Sequence, residues 1–134
     1  MLFCYKEQLK MAITKTDVKG AGIASLHNVR VAPRRARLVA DLVRGKKVEQ
    51  ALNLLTTCNR KTAPLLKKLI MSAVANARQN ATQDGDPLEV EELYVKRVWV
   101  DEGLTLKRFM PRAQGRATPI RKRGSNISVV LDQY

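Results

Sequence analysis

Between Gly103 and Leu131 the sequence holds no acidic residue, while Lys107, Arg108, Arg112, Arg116, Arg121, Lys122 and Arg123 are interleaved with glycine, proline and small side chains. Such residues can do one kind of chemistry well, the recognition of phosphate. The planar arginine fork holds phosphate through two hydrogen bonds or stacks on a base, whereas lysine acts as a point charge. A two-stranded hairpin in water is marginal, and one carrying only positive charge also repels itself. The stretch therefore suits an arm surrounded by a polyanion, and RNA is the better match. Phe109 and Met110 suit stacking or wedging against bases, although cross-strand packing accounts equally well for Phe109. A mobile, solvated loop is the plainer alternative, and the acid-free length argues against it.

A second basic set, Arg30, Arg34, Arg35, Arg37, Arg44, Lys46 and Lys47, surrounds the first predicted helix and the turn after it. It offers phosphate contacts from a globular body. Over 134 residues, 25 lysines and arginines face 12 acids, a formal net charge of +13. Seven of those acids (Asp84, Asp86, Glu89, Glu91, Glu92, Asp101, Glu102) fall between residues 84 and 102, which leaves 23 basic and 5 acidic residues elsewhere. A surface so one-sided meets a polyanion, because each neutralised phosphate releases a condensed counterion and association is steered from a distance.

Other classes fare worse. No segment approaches the roughly 20 apolar residues of a spanning helix, and no lipidation motif appears, so no membrane partner is expected. The opening MLFCYKEQLK places Lys6, Glu7 and Lys10 where a secretory signal needs an unbroken apolar core, which points to the cytoplasm. Met11 followed by Ala12 is a second plausible start. Cys4 and Cys58 are too few for a disulfide framework, and Cys58 reads as a small apolar residue at a helix end. The sole histidine, His27, lies in a predicted strand, no Cys/His spacing resembles a metal site, and the acids from Asp84 to Glu92 lack a metal-binding loop. Neither an enzyme, a metal nor a cofactor is expected.

The elements that must position the cations are legible in the periodicity. Residues 1 to 20 show none, and read as a loose N-terminal arm; residues 21 to 134 read as one domain. A strand is expected from Ile23 to Val31, then a helix with Pro33 in its first turn and Gly45 closing it. Its inward arc collects Val31, Leu38, Val39, Leu42 and Val43, with Arg35 near that side and Arg34, Arg37, Asp41 and Arg44 opposite. Val48, Ala51, Leu52 and Leu55 mark a second helix. Thr62 as cap, Pro64 in the first turn and the stripe Leu66, Leu69, Ile70, Ala73, Val74 and Ala77 mark a third, in which Ala73, Ala75 and Ala77 permit close packing. LEVEELYVKRVWV and Ile127 to Leu131 read as strands that continue toward each other through residues 101 to 126. That makes one antiparallel hairpin over about residues 93 to 131, its arms roughly 50 Å long at about 3.3 Å per residue. Gly115 permits a tight reversal at its tip, while Pro111 and Pro119 limit ladder pairing and discourage edge-to-edge aggregation. The fold class is α+β, three helices on a small antiparallel sheet with a long β-hairpin extension.

The runs PRRARLVADLVRGKKVEQALNLL, KKLIMSAVANARQN, VKRVWVDEG and TLKRFMPRAQGRATPIRKR resemble ribosomal protein twenty-two of the large subunit, bacterial type, over roughly residues 24 to 131. The resemblance implies a structural protein seated on large-subunit ribosomal RNA that aids early subunit assembly. It also implies a monomer within the ribosome, whose hairpin lines the polypeptide exit tunnel beside ribosomal protein four. Matched residue by residue, it places Met110, Arg112, Gly115, Arg116 and Ala117 at or near the tip, and Lys107, Arg108, Arg121, Lys122 and Arg123 along the arm. Leu104, Gly124 and Asn126 depart from the usual proline, threonine and histidine, so the departures cluster at the hairpin base and not at the tip. The rival reading is a histone-like DNA architectural protein, which also joins a helical body to basic β-arms.

Overall fold

The computed structural model describes residues 20–84 and 90–133. The expected N-terminal arm lies outside them apart from Gly20. In chain order come β1 (Gly22–Val29), α1 (Pro33–Val43), α2 (Val48–Thr57), α3 (Thr62–Asp84), β2 (Leu93–Glu102), β3 (Leu106–Pro111), β4 (Ala117–Lys122) and β5 (Ser125–Gln133). The fold class is α+β as expected. Three helices pack on an antiparallel sheet of order β1-β5-β2, and β3 pairs with β4 as a separate two-stranded extension.

β5 is the central strand, and its Ile127, Val129 and Leu131 join the helices' buried stripe. Ala24 and Val98 flank Val129 in register, and Gly22 and Val95 flank Leu131. Strict alternation cannot put both Val95 and Val98 on one face; a bulge between Val95 and Arg97 inserts the extra residue that does so. Lys96 and Arg97 remain exposed there, so the KR pair within VKRVWV is the visible trace of the bulge.

Helix α1 departs from its wheel. Pro33 occupies the first turn as expected, but the side chains buried along with it are Ala36, Val39, Ala40 and Val43, while Leu38 and Leu42 are 53% and 50% exposed. The cause lies on the arginine side. Arg37 donates from Nε and Nη2 to the Val100 carbonyl, both at 3.2 Å, and Arg44 donates from Nη2 to the Val98 carbonyl at 3.1 Å. Turning these arginines onto edge strand β2 brings the two alanines against the sheet, where small side chains allow close approach, and rolls the leucines outward. The helix ends at Val43, two residues before Gly45. Gly45 and Lys46 then exchange two hydrogen bonds with Val95, both at 2.9 Å.

The opposite edge is closed by α3. Asn76 and Asn80, four residues apart on one helical face, donate from Nδ2 to the Ile23 and Ala21 carbonyls at 2.8 and 3.1 Å. Both outer edges of the sheet therefore carry side-chain donors, which satisfies backbone carbonyls and blocks a further strand. Of the small residues of α3, Ala73 and Ala77 do permit close packing, but against a strand and not a helix, while Ala75 is exposed. A Cβ on Gly22 would lie 2.3 Å from the Ala73 carbonyl oxygen and 2.8 Å from the Ala77 Cβ. Leu66, Leu69, Ile70, Ala73 and Ala77 are buried as expected, and Thr62, rather than capping from outside, is itself the helix's buried first residue.

The hairpin is long, but it is two ladders. The β2–β5 ladder runs to Glu102↔Ser125 and the β3–β4 ladder begins at Leu106↔Lys122. Between them Gly103 donates to the Gly124 carbonyl at 3.0 Å and Gly124 to the Leu104 carbonyl at 3.1 Å. At this junction β1 also ends, with Val29 opposite Ser125, and Asn28 donates its backbone N–H to Asn126 Oδ1 at 2.8 Å. The amide at position 126 thus ties β1 to the hairpin base.

Candidate nucleic-acid interface

The arm's backbone is regular while its surface is bare. From Lys107 to Arg123 every side chain is exposed, so all seven arm cations (Lys107, Arg108, Arg112, Arg116, Arg121, Lys122 and Arg123) face solvent. Register places Lys107 directly opposite Arg121, and like charges facing across a ladder destabilise it. Leu106↔Lys122, Arg108↔Ile120 and Met110↔Thr118 share one face; Lys107↔Arg121, Phe109↔Pro119 and Pro111↔Ala117 share the other. Phe109 is 77% exposed, so pairing with Pro119 does not cover its ring. Its flat face lies open beside two cations, an arrangement suited to stacking on a base.

The prolines act differently from the expectation that they limit pairing, because the ladder runs unbroken through both. The Arg112 N–H bonds to the Arg116 carbonyl at 2.8 Å, and bonded pairs alternate along an antiparallel ladder. Counting back, positions 111 and 119 fall where the N–H points outward, so each proline lacks only a donor the ladder never used. They block the arm's outer edges against a third strand.

At the tip, Gly115 has φ +67° and Gln114 φ +60°, so the chain reverses through two successive left-handed residues. A Cβ on Gly115 would meet nothing within 4 Å. Met110, Arg112, Arg116 and Ala117 surround this reversal, and all are exposed.

On the body the seven cations picked out from the sequence are all exposed, but their bonding separates them. Arg37 and Arg44 fasten α1 to β2, and Arg44 also pairs with Asp41 at 2.9 Å. Lys46 and Lys47 sit in the turn before α2, Lys47 bridged to Tyr94. Arg34 lies on the solvent side of α1. Arg30 and Arg35 line an open groove that also includes Arg60 and Lys61, two cations missed by reading only the α1 neighbourhood. The available signal was the polar turn NRKT, which places adjacent cations just ahead of a helix start.

Lys96, at the bulge, donates to Asp132, and that hydrogen bond holds its ammonium above the usual lysine pKa. It already has a protein partner and is a poor candidate for phosphate. His27 is exposed on β1, and Cys58 is a half-buried thiol at the end of α2. Among the described residues no group of three His, Cys, Asp or Glu side chains is placed to hold a metal, and no helix is long and apolar enough to cross a membrane.

Comparison with known proteins decides the family. The family model for ribosomal protein L22p/L17e matches residues 24–132, which takes in the body and the whole arm. The chain belongs to that family. Membership of the ribosomal protein L22p/L17e family makes the chain a structural ribosomal protein and not an enzyme, located on the cytoplasmic ribosome. The chain is similar to a protein of Bdellovibrio bacteriovorus described as large ribosomal subunit protein uL22, with 56% identity over 82% of this chain and 96% of the relative. Relatives of the same description in Syntrophotalea carbinolica and Pelobacter propionicus are 52% and 53% identical over 82% and 81% of this chain, and 96% and 93% of their own lengths.

Proposed function

We propose that this protein is a structural component of the large ribosomal subunit that binds large-subunit ribosomal RNA, aids early assembly and lines the exit tunnel with its arm tip. The observation that carries this reading is the arm itself, a two-stranded ladder with seven exposed cations and like charges facing across it. Such a structure reaches its lowest free energy only when phosphates surround it. A narrow reversal and proline-blocked edges let it thread between packed RNA helices without recruiting another strand. Within the subunit the protein acts as a monomer, with ribosomal RNA and neighbouring ribosomal proteins, ribosomal protein four among them, as partners. The body's cations outside the edge-fastening pair add phosphate contacts that fix orientation.

The test is a salt titration of binding to large-subunit RNA fragments, with duplex DNA as the comparison. Structured RNA should bind more tightly than DNA, and Arg121→Ala with Arg123→Ala should lower the salt slope by about one unit or slightly more. An unchanged slope would show that these arginines do not touch phosphate, and a preference for DNA would favour the histone-like reading.

The tip gives a separate prediction. Gly115→Val imposes a left-handed β-branched residue, at a local cost of roughly 1 to 2 kcal/mol, and widens the turn. Because the strain falls at the tip of the separate β3–β4 ladder and the added side chain meets no other residue, melting of the body should stay at the wild-type temperature. Gradient profiles of cells relying on the variant should show fewer large subunits or slowed translation. Normal subunits translating at the normal rate would remove the tip from any functional role.

A further inference from the structure

The groove lined by Arg30, Arg35, Arg60 and Lys61 also has an apolar part to its lining, Val31, Ala32 and Leu38, and a volume of about 600 Å³. Its cations come from two segments distant in sequence, the β1–α1 connection with the first turn of α1, and the turn before α3. That turn is fixed by backbone bonds, since Arg60 donates to the Cys58 carbonyl and its own carbonyl accepts from Ala63, each at 2.9 Å. No carboxylate lines the groove, and none of the four cations forms an ion pair with a described residue. They differ in this from Arg44 and Lys96, which are paired within the protein.

We propose, resting on the RNA reading above, that this groove is a second RNA site that takes one unpaired nucleotide. The phosphate is held by the arginines and Lys61, and the base lies on Leu38. A bare anion gains nothing from an apolar lining, and a continuous duplex presents its phosphates on a convex surface that cannot enter a concave site. An unstacked nucleotide offers both an anion and a flat apolar face, the form in which RNA loops and bulges are recognised. The outward turn of Leu38, half exposed for want of a core partner, is thereby given a contact. Leu42 is equally exposed one turn along α1 but does not line the groove, and serves as the internal control.

Fluorescence anisotropy with a labelled ten-nucleotide uridine single strand and a ten-base-pair RNA duplex tests this on the full chain. Arg60→Gln with Lys61→Gln should weaken the single strand about tenfold and the duplex less than about twofold. Leu38→Ser should weaken the single strand severalfold, and Leu42→Ser should change neither. Equal losses on both probes would reduce the groove to scattered phosphate contacts, and a polyglutamate peptide competing as well as RNA would assign it to an acidic protein segment. Either overturns the proposal. If the groove variant changes nothing while Arg121→Ala with Arg123→Ala still lowers the salt slope, the groove fails and the arm reading stands; if both are silent, both fail.

Discussion

Gly22→Val should lower the melting temperature of the isolated protein by roughly 12 °C or more, corresponding to about 3 kcal/mol or more of overpacking. Even the first atom of the new side chain would fall 2.3 Å from the Ala73 carbonyl oxygen. A flexible neighbour could rotate away, but that oxygen belongs to the backbone of α3. Relief requires β1 and α3 to separate, which also stretches the bonds from Asn76 and Asn80 to the carbonyls of Ile23 and Ala21. The damage thus reaches the sheet edge as well as the core. Thermal melting of Gly22→Val beside Gly115→Val makes the measurement specific, since the second places the same side chain in open space. Equal melting temperatures for the two would mean that β1 does not lie on α3 in this way.

The contact shows where sequence reading stops. Apolar spacing in α2 and α3 was enough to place their buried faces, because those stripes contain large side chains at unbroken helical intervals. In α1 the inward arc contains Ala36 and Ala40, and hydropathy weights the larger Leu38 and Leu42 more heavily, so the wheel points slightly the wrong way. The true orientation is set by Arg37 and Arg44 reaching the β2 carbonyls, a demand that arises only once β2 is in place. Asn76 and Asn80 were invisible for the same reason, since sheet order decides which strand edge needs donors. A bulge, likewise, is a property of two strands; VKRVWV alone shows only that alternation fails. The arm was the reverse case, because charge without acids is a property of composition and survives any fold. Its division into two ladders was not legible, since the break comes from three strands meeting at Ser125, a property of the sheet and not of one segment.

The same charge yields the largest expected effect on binding. Replacing Lys107, Arg108, Arg121, Lys122 and Arg123 with glutamine should lower the salt slope for large-subunit RNA by roughly 3 to 5 units, and affinity at physiological salt by about a thousandfold. The free protein should not suffer. All five side chains are exposed, and Lys107 opposite Arg121 is a repulsive pair whose removal favours the ladder. Amide hydrogen exchange along β3 and β4 should therefore slow in the variant, while melting of the body stays unchanged. The two signs together are diagnostic. Cations that served the arm's own fold would speed exchange when removed, and a mobile loop with incidental charge would leave RNA affinity nearly intact. Slower exchange with lost affinity is the result expected of an arm whose charge is unfavourable in isolation and compensated by phosphate when RNA is bound. Retained affinity at physiological salt would move the RNA contact off the arm and onto the body.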